Sequence, residues 1–252
     1  MSQEQRTLWV VGASTGIGAA LVDVFHRAGW RVVLSARRAE LLRQRAAQDP
    51  ERLFAVPVDV TDLDALHRAV AAIEGHWGEI DTAILNAGDY EPMALDDFSA
   101  ALFARLMQVN YIGVVHGLDA LQRRMRERKR GQIMITASVA GYRGLPYAAP
   151  YGATKAALIS LAESLQPEFA RDGVRLRLIC PGFVRTPLTD KNDFPMPGLT
   201  EPTQVAAAVL REVDGRRFEI LVPRGFGWLM KGVRSLPYLL WLPLARRMLR
   251  NG

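Results

Sequence analysis

The chain has 252 residues, 49% of them apolar and 23% charged, with a net charge of +6. That balance excludes a disordered or fibrous chain and fits one folded α/β domain with a substantial core. The single cysteine, Cys180, excludes an internal disulfide; with no secretory signal before Thr7, a cytoplasmic location is expected.

In chain order, short β-branched runs alternate with helical patterns. Strands are expected at Thr7–Val11, Arg31–Ser35, Leu53–Val58, Thr82–Asn86, Gln132–Thr136, Val174–Cys180 and Phe218–Val222. Helices are expected near Gly16–Ala28, Ala39–Gln48, Asp62–Trp77, Asp97–Arg128, Ala149–Arg171 and Pro202–Val213. Thr61 or Asp62 can cap the third helix, and Pro202 suits a first helical turn. Several strands are continuous apolar runs, as in a parallel sheet buried on both faces. The repeated alternation predicts a single-domain, doubly wound Rossmann fold with a mainly parallel seven-stranded sheet. Residues 1–225 would form the body, and 226–252 an apolar and basic extension of it. The basic run Arg123–Arg130 reads as the last turns of the long helix, where cations complement the macrodipole. No motif or interleaved aromatics accompany it, so nucleic acid is not an expected partner.

Ligands of such sheets bind beyond the carboxyl ends of the strands. Gly12, Asn86, Ser138 and Pro181 all fall at predicted strand ends. Between the first strand and first helix runs Val11-Gly12-Ala13-Ser14-Thr15-Gly16-Ile17-Gly18. Gly12 and Gly16 permit a tight turn against a pyrophosphate, beside the free N–H groups of a helix N-terminus. Gly18 lets the helix pack closely. The spacing is Gly-x3-Gly-x-Gly instead of the commoner Gly-x-Gly-x2-Gly. After the second strand, where an NAD site usually carries a carboxylate, stand Ala36, Arg37 and Arg38. An arginine here can hold a 2′-phosphate, which favours NADP(H) over NAD(H). Arg37 is the expected contact and Arg38 the expected bystander.

Tyr151 and Lys155 are four residues apart in a helical pattern, so they share a face with Cβ atoms about 5–6 Å apart. A fixed ammonium favours the phenolate, so the pairing predicts a lowered Tyr151 pKa and an acid-base role. Ser138, just beyond an apolar run, is placed to hold the reacting oxygen.

Together these residues resemble the short-chain dehydrogenase/reductase family in its compact form. The resemblance runs from about Leu8 to about Val222. Its motifs are the Gly12–Gly18 turn, Asp59-Val60, Asn86-Ala87-Gly88, Asn110 in the setting Val109-Asn110-Tyr111-Ile112-Gly113, then Ser138, Tyr151 and Lys155. Pro181-Gly182-Phe183-Val184-Arg185-Thr186 completes the set. The resemblance implies a doubly wound fold and an NADP-dependent oxidoreductase that interconverts a carbonyl and a secondary alcohol. It implies Tyr151 as proton donor and acceptor, Lys155 on the nicotinamide ribose, Ser138 on the substrate oxygen, and Asn110 holding a water. It places Asp59 and Val60 at the adenine and Asn86, Ala87 and Gly88 beside the cofactor. Pro181, Gly182, Val184 and Thr186 would clasp the nicotinamide. A homodimer or homotetramer is expected by the same analogy.

Two alternatives stay open: a cofactor-sensing protein without turnover, and an epimerase or dehydratase on the same scaffold. The four histidines lack metal-ligand spacing, so no metal is expected. Leu145, Tyr147, Phe183, Leu188, Phe194 and Met196 flank the proposed centre, and Thr186–Thr200 reads as a lid. Their apolar character suggests a lipophilic substrate, with Leu145, Phe183 and Leu188 as its contacts. Beyond Phe226 the tail joins aromatics and leucines to cations. It suits a membrane interface, a subunit contact or a cover over the pocket.

Overall fold

The computed structural model describes residues 5–249; Arg250, one of the tail cations, lies outside them. Seven parallel strands form one sheet in the order β3-β2-β1-β4-β5-β6-β7. These are β1 (Thr7–Val11), β2 (Arg31–Ser35), β3 (Leu53–Ala55), β4 (Thr82–Leu85), β5 (Gln132–Thr136), β6 (Arg175–Pro181) and β7 (Glu219–Val222). Strand order reverses between β1 and β4, and a crevice opens there at the carboxyl ends.

Both faces of the sheet are buried, which explains the unbroken apolar runs. Alternate side chains point to opposite faces, because strand geometry has period two. Trp9, Val11, Ile133, Ile135 and Leu178 join one core with α3 (Leu63–Trp77), α5 (Gly113–Glu127) and α6 (Ala149–Arg171). Leu8, Val10, Val32, Leu34 and Ile179 join the other with α1 (Gly16–Arg27), α2 (Ala39–Ala46) and α7 (Pro202–Arg211). Asp62 caps α3 by accepting from the Ala65 amide at 2.9 Å. Glu201 and Gln204 form a capping box on α7, with Pro202 in its first turn.

Three elements differ from expectation. β3 stops at Ala55: the Val56 and Val58 amides still donate to the Leu34 and Ala36 carbonyls, but the Val56 carbonyl accepts from the Ser35 hydroxyl at 2.6 Å. The long helix expected from Asp97 starts later, because the Ser99 hydroxyl accepts from the Leu102 amide and opens α4 (Ala100–Met107). A π-helical turn at Gln108–Ile112 then joins α4 to α5. Finally, the tail is helical, forming α8 (Arg224–Arg234) and α9 (Tyr238–Arg246). It rests on the body through Met230 and Trp241, both buried.

The arginines of the predicted basic run are engaged by carboxylates of the body. Arg124 pairs with Glu74 at 2.5 Å, Arg126 with Asp172 at 2.6 Å, and Arg130 with Glu79.

Candidate active site

A cavity of about 1170 Å³ runs along the carboxyl edge of the sheet. It exceeds the roughly 300–1,000 Å³ of ordinary small-molecule sites, as a site for a dinucleotide plus a second molecule must. Every expected site residue lines it except Gly18 and Asn110.

At one end lies the glycine turn. Gly12 has φ +92°, and a Cβ there would stand 2.6 Å from the Ala87 amide nitrogen. A Cβ on Gly18 would stand 1.9 Å from the Gly12 carbonyl oxygen. Gly18 therefore closes the turn from behind instead of facing a ligand. Asn86 Nδ2 donates to the same carbonyl at 3.3 Å, so β1 and β4 hold the turn from both sides.

Arg37 and Arg38 both line this end, but they do different things. Arg38 Nη2 donates to Ser14 Oγ at 2.8 Å and Thr15 Oγ1 at 3.0 Å, so it is tied to the turn and not a freely solvated side chain. Arg37 lies near Asp59. The Thr61 amide holds the Asp59 carboxyl below its ordinary range; burial opposes this, and the Thr61 hydroxyl and the Arg37 guanidinium add to it. The two guanidinium groups, free helix N–H groups and side-chain-free approach over the turn fit a phosphorylated dinucleotide.

In the middle of the cavity α6 presents Tyr151 and Lys155. The Lys155 Nζ lies 5.6 Å from the centre of the Tyr151 ring and donates to the Thr136 carbonyl at 2.8 Å. Lys155 is only 3% exposed, and burial lowers its pKa to about 8. Tyr151 behaves opposite to expectation. Burial pushes its phenol up to about 12, while the hydrogen bond with Ser138 pulls weakly the other way. Dehydration of the charged form outweighs any help from the cation. Ser138 itself is fixed by the strand end, with its hydroxyl accepting from the Ala140 amide at 3.2 Å.

Asn110 sits behind the cavity wall, fully buried in the π turn. Its Oδ1 accepts from the Asp89 amide at 2.7 Å, and its Nδ2 donates to the Asp89 carbonyl at 2.9 Å and to Thr154 Oγ1 at 3.1 Å. It clamps the chain after β4 onto α6, next to Gly88, where a Cβ would come within 3.7 Å of Lys155 Nζ.

At the far end Leu145, Tyr147, Phe183, Leu188 and Phe194 line the wall. Met196 does not; its sulfur accepts from Asn192 instead. The loop from Thr186 to Thr200 is closed at its base by a parallel bridge between Val184 and Thr200. Sequence reasoning missed Tyr90, whose ring meets Tyr151 edge-on at 5.0 Å. Its hydroxyl donates to Asn192 Oδ1 at 2.7 Å, and Lys191 Nζ donates to its carbonyl at 2.6 Å, latching the loop to the segment after β4. Phe226, Met230 and Met248 bring the tail into the cavity wall; a cover over the pocket was one of the three readings of the tail, but no single residue was picked out for it. Their apolar character within the tail was the available signal.

The family model described as short chain dehydrogenase matches residues 6–195. An uncharacterized oxidoreductase of Myxococcus xanthus is 32% identical over 246 residues, covering 96% of this chain and 97% of its own. A short chain dehydrogenase/reductase from Burkholderia phymatum, solved in complex with NAD, is 25% identical with a TM-score of 0.81, covering 92% of this chain and 94% of that one. A short chain dehydrogenase from Burkholderia cenocepacia, solved in complex with NADP, has a TM-score of 0.83 with both chains covered in full; at 24% identity it shows the shared fold alone.

Proposed function

This chain belongs to the short-chain dehydrogenase family of oxidoreductases, and from that premise we propose that it interconverts a carbonyl and a secondary alcohol on a lipophilic molecule, with NADP(H) preferred. One observation carries the reading: Ser138, Tyr151 and Lys155 converge in one cavity with the glycine turn. A bound reduced nicotinamide supplies the hydride; the protein supplies orientation and a proton.

Tyr151 is the proton donor in the reducing direction. A phenol with a pKa of about 12 stays protonated at every working pH, yet it is a stronger acid than an alcohol. Proton transfer to an oxygen that gains negative charge is therefore downhill. Ser138 holds that oxygen beside the phenol. Lys155 anchors the ribose and, as an ammonium, steadies the phenolate left after transfer. Asn110 acts as a positioning residue through the segment around Gly88.

Solved neighbours hold either NAD or NADP, so cofactor choice rests on this chain's own residues. Arg37 and Arg38 stand where a carboxylate for a free ribose would stand, which supports the phosphorylated form. The apolar far wall of Leu145, Phe183, Leu188 and Phe194 supports a lipophilic substrate.

Loss of NADPH absorbance against a panel of ketones and aldehydes tests the reading. Net consumption is expected for at least one apolar ketone. Tyr151→Phe should lower turnover about 10²–10⁴-fold while NADPH still binds. Binding without consumption would point to a sensor, and conversion without net redox to an epimerase.

A further inference from the structure

The chain carries 32 basic and 26 acidic side chains, distributed unevenly. From Arg224 to the end there are six basic residues and no aspartate or glutamate; the 223 residues before it hold 26 of each and no net charge. The whole +6 of the molecule lies from Arg224 onward. Lys231 pairs with Glu219 and Arg234 with Glu163 at 3.5 Å. Arg224, Arg246 and Arg247 make no ion pair among the described residues.

The same segment is the most apolar part of the surface. Trp228 and Leu229 of α8 are exposed, and Tyr238, Leu239, Leu242 and Leu249 continue the patch; Leu239 is 85% exposed. In α9 only Trp241 is buried, so a helix apolar on nearly every side touches the body along one edge. Such a helix belongs neither to a core nor to a solvated face. No helix among the described residues is long and apolar enough to cross a membrane. Cations lie against the exposed aromatics: Lys231 Nζ is 5.3 Å from the Trp228 ring, and the Arg143 guanidinium is 4.6 Å from that of Tyr238. Amphipathic aromatics beside basic groups are the chemistry of a helix lying in the plane of a lipid interface.

We propose that α8, α9 and the residues through Leu249 form a docking surface for a bilayer containing anionic phospholipid. Charge decides the occupant. A two-fold pairing of two copies would bring together two segments that are both basic and have no carboxylate of their own, while Glu219 and Glu163 beside them are already paired with Lys231 and Arg234. An anionic bilayer complements the cations and accepts the leucines at once. Phe226, Met230 and Met248 line the cavity from within, so the docked surface adjoins the cavity mouth. This inference does not depend on the reaction assigned above.

The test is flotation of the full-length protein with phosphatidylcholine vesicles, with and without phosphatidylglycerol. Binding should require the anionic lipid and weaken as salt is raised. Arg246→Gln/Arg247→Gln should weaken it about thirtyfold, from roughly fivefold per cation. Leu239→Glu/Leu242→Glu should abolish it without changing the melting temperature, since both side chains are exposed. Absence of flotation at low salt would overturn the proposal, as would equal binding to neutral vesicles or unchanged binding by the leucine variant. Light scattering that shows a dimer split by the leucine variant would assign the patch to self-association instead.

Discussion

Lys155 is an ammonium held where water cannot reach it, and its depressed pKa has a thermodynamic sign. Below pH 8 the folded and unfolded chains both carry the charge, and burying it costs about 3 kcal/mol. Between about 8 and 10.5 the folded chain has released a proton that the unfolded chain retains, so this group makes stability rise with pH. Lys155→Met should then be more stable than the parent at neutral pH by about 1–3 kcal/mol, while turnover collapses. The stability gap should close toward pH 10.5; denaturant titrations at both ends check it, and a pH-independent gap would contradict the assignment. The two arginines separate similarly. Arg37→Ala should weaken NADPH binding about ten- to a hundredfold and leave NADH nearly unchanged. Arg38→Ala should weaken both, since Arg38 also braces Ser14 and Thr15, which line the turn. Fluorescence titration with each cofactor distinguishes them.

At the scale of elements, the latch between the segment after β4 and the Thr186–Thr200 loop is what holds the loop against the site. Tyr90→Phe removes one hydrogen bond, worth about 1 kcal/mol, between the two. KM for the carbonyl should rise about fivefold with kcat changed less; steady-state kinetics measures the split. An unchanged KM would show that the loop closes without this bond. The glycine turn and the Tyr151–Lys155 face of α6 were legible from sequence, because local spacing specifies each. The π turn was not: Asn110 lies within a continuous helical pattern, and only its bonds to Asp89 and Thr154 reveal what holds it. Tyr90 was missed for a related reason. It meets Asn192 across about a hundred residues of chain, a distance no local pattern spans. The Tyr151 pKa was misjudged because spacing reports a neighbouring cation but says nothing of dehydration.

At the scale of the whole molecule, a doubly wound, mainly parallel seven-stranded sheet was readable from alternation and apolar runs, whereas the order β3-β2-β1-β4-β5-β6-β7 is set by which strands pair across the fold. The tail was harder, since Pro237 and Pro243 interrupt its pattern; the prolines instead sit at the cap and inside α9. Its role in the cavity wall comes from packing against β7, which sequence does not display. The uneven placement of charge has a practical side as well. A version ending at Pro223 would have equal numbers of basic and acidic side chains, and so would sit near its isoelectric point in neutral buffer. Copies would then repel one another least and precipitate most readily. The greasiest end of this molecule thus also keeps it dispersed, and trimming it to improve handling would have the reverse effect.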